Sequence, residues 1–191
     1  MKKVFLFLVV VVITTLSANA QQVQFGAKGG LNIATLNGSG SGGLSSLVGV
    51  HFGGLASIKV SDLFHVQPEL VFSTQGAKGA GGKLNLDYLN IPVLAKYTIT
   101  DGLDIEAGPQ FGFLLSAKAK DNAGNSTNVS SSIKSVDIAL AVGASYDITK
   151  MIGVDVRYNI GLTDINNPSN SNNTLHNAVV QIGVYYMFNT K

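Results

Sequence analysis

The stretch IGVDVRYNIGLTD, residues 152–164, alternates without a break. Ile152, Val154, Val156, Tyr158, Ile160 and Leu162 share one parity, while Gly153, Asp155, Arg157, Asn159, Gly161 and Thr163 share the other. A β-strand with this period has one apolar face and one polar face. The same alternation returns along the chain in Val23–Leu36, Ser46–Val60, Leu63–Gln75, Leu84–Ile99, Leu103–Ala117, Ile133–Ile148 and Leu175–Phe188, making eight segments in all. Only the fourth departs from it, because Leu84, Leu86, Tyr88 and Leu94 fall on its polar parity. Each segment is 13–16 residues long. Strands of a soluble sandwich usually run about 5–6 residues, and a tilted strand crosses a bilayer's hydrocarbon in about 9–11.

The links between segments alternate in length. Asp62, Asp101-Gly102 and Thr149-Lys150-Met151 mark tight turns after segments two, four and six. Asn37–Ser45, Gly76–Lys83, Lys118–Ser132 and Ile165–Thr174 are longer and rich in Gly, Ser and Asn, as flexible loops are. Short turns at one end and long loops at the other are the plan of an outer-membrane barrel. The predicted fold is therefore all-β, an eight-stranded antiparallel up-and-down transmembrane barrel with four outward loops.

A barrel decides which face of residues 152–164 points inside. The apolar parity faces lipid and the polar parity faces the lumen. The inward charges are then Lys28, Glu69, Lys96, Glu106, Asp137, Asp155 and Arg157, with Glu69, Lys96, Glu106, Asp155 and Arg157 at similar depth. Charges removed from water must be paired or they cost several kcal/mol each, so a buried ionic network is expected. The alternative is a scatter of solvated lumen charges. The interior of an eight-stranded barrel is just wide enough for side chains to fill, so a porin-like channel is not expected.

The chain opens MKKVFLFLVVVVITTLSANAQQ: two lysines, an apolar run from Val4 to Ile13, and the small-residue site Ala18-Asn19-Ala20. This pattern predicts a secretory signal peptide over residues 1–20, cut near Ala20, and a barrel domain over 21–191. The run is short for a spanning helix, which needs about 20 residues; an uncleaved anchor is the competing reading. No cysteine follows the small residues, so an N-terminal lipid anchor is excluded. Without Lys2 and Lys3, 11 basic residues balance 11 acidic ones, and nothing favours nucleic acid. The absence of cysteine removes disulfide and thiol chemistry.

Three prolines, Pro68, Pro92 and Pro109, fall within strands. A closed barrel has no edge on which to place a missing donor, so bulges, widened spacing or a strand break are expected there. An enzyme would need a serine, a histidine and a carboxylate in reach of one another. His51 and His65 fall on the lumen parity at different depths, and His176 on the lipid parity near the outer rim. No metal pattern or phosphate loop is present, so no cofactor is expected. The longest loop, Lys118–Ser132, has none of the Trp, Tyr or Arg that anchor binding hot spots.

Near the C-terminus, Gln181, Gly183, Tyr186 and Phe188 fall in a pattern that resembles the signal by which bacterial barrels are handed to their assembly machinery. It departs in its tail, Asn189-Thr190-Lys191, since such signals often end on the aromatic. The segments FGAKGGLNIATL (25–36), VQPELVFSTQGAK (66–78), LNIPVLAKY (89–97), EAGPQFGFLLSAK (106–118) and DVRYNIGLTDI (155–165) together resemble the PorT-family outer-membrane barrels, a small β-barrel domain common in Bacteroidetes. The resemblance implies a Gram-negative outer-membrane location, contact with outer-membrane lipid, and a non-catalytic structural or interaction role in the cell envelope. The namesake acts in protein secretion across the outer membrane, so an accessory role in secretion, with envelope or secretion proteins as partners, is the second implied reading. A lipid-modifying or proteolytic barrel enzyme is the third.

Overall fold

A chain whose apolar residues sit at every second position presents one continuous apolar face only if its strands pair with those stripes on the same side. The computed structural model, which describes residues 23–167 and 173–188, does this with β1 (Val23–Asn37), β2 (Ser45–Lys59), β3 (Phe64–Gly79), β4 (Gly82–Thr100), β5 (Leu103–Asp121), β6 (Ser126–Asn128), β7 (Val136–Asp147), β8 (Ile152–Gly161) and β9 (His176–Met187). The signal-peptide assignment and the tail 189–191 lie outside the described residues. Neighbouring long strands pair antiparallel in chain order, β4 pairs with β5, and β9 returns to β1 with Gly30 opposite Gly183. The result is a closed eight-stranded up-and-down barrel. β6 is a short addition hydrogen-bonded to the outer end of β5. The described residues contain no α-helix, only a 3₁₀ turn at Ser130–Ser132.

Burial is inverted relative to a soluble protein. Phe25 (57%), Val48 (64%) and Leu162 (61%) are exposed on the outside, whereas Arg157 (2%) and Glu69 (3%) are enclosed. The three turns at one end are short. The tightest is Asp101-Gly102, where Gly102 takes φ +81°, a conformation that a side chain would strain.

The opposite end corrects two expectations. Gly76–Lys83 is not a flexible loop: β3 and β4 stay paired to Gly79 opposite Gly82, leaving a turn of Ala80 and Gly81. Likewise Lys118–Asp121 continues β5, and β6 pairs back onto it. The alternation of Leu103–Ala117 predicts Ser116 on the inward parity with Glu106 and Gln110, but in the structure it faces outward. The register slips between Asp87 and Tyr88 against Ser116 and Leu114, so Leu115 is an extra, bulged residue and the parity of β5 inverts beyond it.

The prolines produce no bulge. Pairing of β3 with β4 stops at Pro68 opposite Val93 and resumes at Val71 opposite Asn90 in the same register. β4 and β5 are interrupted between Pro92 opposite Gln110 and Ala95 opposite Ala107, again without slippage. The ladder loses bonds locally while the strands run on.

Candidate functional site

The lumen is filled in layers by the inward parity of every long strand. Nearest the short-turn end, Lys96 Nζ lies 3.3 Å from Asp104 Oδ2, and the Thr98 hydroxyl donates to Asp104 Oδ1 at 2.7 Å. The Tyr185 hydroxyl donates to Asp147 Oδ1 at 2.5 Å. Its ring lies where a Cβ on Gly153, its direct cross-strand neighbour, would stand. A glycine here lets an aromatic ring cover the opposite strand.

The next layer is ionic. Arg157 donates through Nε to Glu106 Oε1 at 2.8 Å, and through its two terminal nitrogens to Glu69 at 3.0 Å each. That is the two-pronged geometry by which a guanidinium recognises a carboxylate. Gln67 Nε2 adds a donor to Glu69 Oε1 at 2.7 Å. Lys28 Nζ lies 3.2 Å from Asp155 Oδ2 and 3.6 Å from Glu69 Oε2. Two cations and three carboxylates from β1, β3, β5 and β8 therefore meet in one enclosed cluster.

Above it, Asn32 is a hub. It donates through Nδ2 to the Ser73 hydroxyl at 2.9 Å and to the Thr74 carbonyl at 2.8 Å. Its Oδ1 accepts from Gln181 Nε2 at 3.1 Å and lies 2.8 Å from His51 Nδ1. Higher still, Asn177 Nδ2 donates to Asp137 Oδ2 at 2.8 Å. The outermost layer is apolar: Leu36, Ala77, Leu86, Tyr88, Ala117, Ile133 and Ile165 form one buried cluster. Leu86 and Tyr88, on the polar parity of β4, belong to it.

The seven inward charges singled out from the sequence thus separate by depth. Lys28, Glu69, Glu106, Asp155 and Arg157 share one cluster. Lys96 is the direct cross-strand neighbour of Glu106, yet its ammonium turns to Asp104. Asp137 sits apart, with Asn177. Sequence reasoning passed over Gln67 and Asn32. Gln67 was legible in principle, two positions before Glu69 on the same face. Asn32, an uncharged inward residue, carried no signal for its central position. Of the terminal motif, Gln181 faces the lumen, and a Cβ on Gly183 would stand 3.0 Å from His51 Nε2 and 3.2 Å from Asp155 Oδ1. Tyr186 and Phe188 face outward with ring centroids 5.9 Å apart. Among the described residues no serine hydroxyl is bonded to His51, His65 or His176, and no three metal-ligating side chains gather.

The family model described as "outer membrane protein beta-barrel domain" matches residues 19–167. Among solved structures, the chain is similar to Neisserial surface protein A at 13% identity and a TM-score of 0.62, covering 87% of this chain and 99% of that one. It is similar also to Ail, the attachment invasion locus protein of Yersinia pestis, at 11% identity and a TM-score of 0.54, again covering 87% and 99%. No curated protein matches the sequence.

Proposed function

Because the chain belongs to the outer membrane protein beta-barrel domain family, we propose that it is a non-catalytic barrel of the bacterial outer membrane whose closed wall and filled lumen carry outward loops for a structural or interaction role in the envelope. The observation that carries this reading is the burial inversion: Arg157 and Glu69 enclosed, Phe25 and Val48 exposed around the outside. A lumen packed from the Lys96 layer to the Ile165 layer supports a role without solute conduction. Residues 1–20 act as the export signal, and Gln181, Gly183, Tyr186 and Phe188 are read by the barrel assembly machinery.

Refolding into lipid vesicles tests it. The folded form is expected to migrate differently from the heated form on a gel and to give no conductance steps in a planar bilayer. A monodisperse monomer that stays dissolved without surfactant would overturn the reading. The resemblance to PorT-family barrels of Bacteroidetes favours a second reading, an accessory part in protein secretion. Pull-down from crosslinked envelopes, with export measured in a deletion strain, separates the two.

A further inference from the structure

Above the apolar belt, the barrel wall carries a row of lysines. β3, β4 and β5 run well past the length that crosses hydrocarbon, and their outer ends stay paired. In that extension Lys78 is the direct cross-strand neighbour of Lys83, and Lys83 of Lys120. All three lie on the outward face, because the adjacent pairs Ala77–Leu84 and Leu84–Ala119 face the lumen. Lys118, opposite Asn85, adds a fourth lysine on the same face.

Like charges directly opposite in a sheet repel, and the nearby carboxylates, Asp87 on the same face and Asp121 in the same cleft, form no ion pair with them. Among the described residues none of the four lysines makes an ion pair. Asp121, next in sequence to Lys120, accepts from Asn125 through both carboxylate oxygens. The row also borders a cleft of about 230 Å³ lined by Lys78, Lys83 and Lys120 together with Gly79, Gly82, Asn122 and one carboxylate, Asp121. Asn122 Nδ2 donates to the Ala80 carbonyl at 2.9 Å, tying the β3–β4 tip to the neighbouring turn. The lysines therefore project from a wall that is already ordered.

We propose that Lys78, Lys83 and Lys120, with Lys118 beside them, bind a phosphorylated saccharide of the outer-leaflet glycolipid. This rests on the membrane-barrel reading above, and height selects the ligand. The last outward apolar residue of β4 before the row is Leu89, six positions from Lys83. At a rise of about 3.3 Å per residue and a tilt near 45°, Lys83 stands about 14 Å beyond it. On β5, Lys120 stands about 12 Å and Lys118 about 7 Å beyond the exposed Leu115, so Lys118 lies at headgroup depth and the other lysines above it. A phospholipid headgroup layer is only about 5–8 Å deep on each side. Phosphorylated sugars of a glycolipid extend farther, and their charge complements a row of ammonium groups.

The test uses the full barrel, folded in a zwitterionic detergent and titrated with core-bearing lipopolysaccharide before and after phosphatase treatment, with binding read by native mass spectrometry. K78Q/K83Q/K120Q is expected to weaken binding about a hundredfold, at roughly fivefold per lysine. K59Q/K150Q, which removes lysines at the short-turn end, is expected to change it less than threefold, and phosphatase treatment is expected to abolish the difference between variants. Equal binding by K78Q/K83Q/K120Q and the parent, or undiminished binding of the dephosphorylated glycolipid, overturns the proposal. So does lysine-dependent binding of inorganic phosphate alone with no uptake of glycolipid. Failure to show the heat-modifiable folded form in lipid would instead count against the membrane-barrel reading.

Discussion

Arg157→Met is the most informative single change to the lumen. The substitution keeps most of the aliphatic stem and removes the guanidinium. Glu106 then loses its donor at 2.8 Å, and Glu69 loses both of its 3.0 Å prongs. Glu69 retains Gln67 and a 3.6 Å approach from Lys28, whereas Glu106 retains no hydrogen-bond donor. Both carboxylates stay enclosed, at 3% and 4% exposure. Removing one partner from a buried ionic cluster costs about 3–5 kcal/mol, because the other charge is left stranded. The expected loss is therefore about 3–5 kcal/mol, read from urea titration of the barrel in lipid vesicles. The chain has no tryptophan, so circular dichroism or the gel-mobility shift must report unfolding.

A second variant separates stranded charge from lost packing. E69Q/E106Q/R157M removes the two carboxylates with the guanidinium and leaves Lys28 and Asp155, paired at 3.2 Å. Replacing a whole buried ionic set by neutral groups is often close to neutral. This variant is expected to recover most of the loss, to within about 1–2 kcal/mol of the parent. A loss below about 1 kcal/mol for R157M, or a neutral set no more stable than R157M, would refute the reasoning.

Three further expectations follow from other layers. Val156→Arg places a charge on the outward face at mid-strand, where Val156 is 50% exposed; about 2–4 kcal/mol should be lost in vesicles, whereas a neutral effect would mean that this face meets water. Gly153→Ala drives a methyl into the Tyr185 ring and should cost about 1–3 kcal/mol, with Tyr185→Phe in the same background recovering nothing if the ring's position is what matters. In the outer loop, Asp164 Oδ1 accepts from the Leu175 amide at 2.8 Å and the Asn166 amide at 3.1 Å, and the first of these chiefly holds its carboxyl below the ordinary aspartate range. Because the folded value is the lower one, the stabilisation is complete above about pH 4 and disappears as pH falls through the depressed value; a carboxyl titration followed by NMR with an ordinary midpoint would contradict the assignment.

Strand number, pairing order and the inward set were legible because a period of two has only two phases, and a barrel assigns each phase a solvent. The phase fails where geometry intervenes. At Leu115 one extra residue inverts the faces of β5, and composition alone does not mark it, since Ser116 and Leu114 fit either phase. Gly76–Lys83 reads as a loop because glycine is rare in strands, yet the two adjacent strands continue to pair there, with Ala77 and Leu84 packed into the apolar cluster at the top of the lumen. Depth along the lumen was the least legible quantity. Lys96 and Glu106 are cross-strand neighbours, but a lysine stem spans several ångströms, and its ammonium reaches the carboxylate of Asp104 instead.

The layering also explains why Leu84, Leu86 and Tyr88 break the alternation of β4. Alternation expresses a wall with lipid on one side and a polar lumen on the other. Where β4 rises past the hydrocarbon, its outward face meets water and polar headgroups, so Lys83, Asn85 and Asp87 stand outside. Its inward face then closes the top of the barrel, packing Leu86 and Tyr88 with Ile133 and Ile165 brought in from the neighbouring loops. Above the membrane the strand reverts to the soluble arrangement, with apolar residues in and polar residues out. The residue at which its pattern changes phase marks the rim of the bilayer. On β4 that residue lies between Leu89 and Asp87, and the lysine row stands on its outer side.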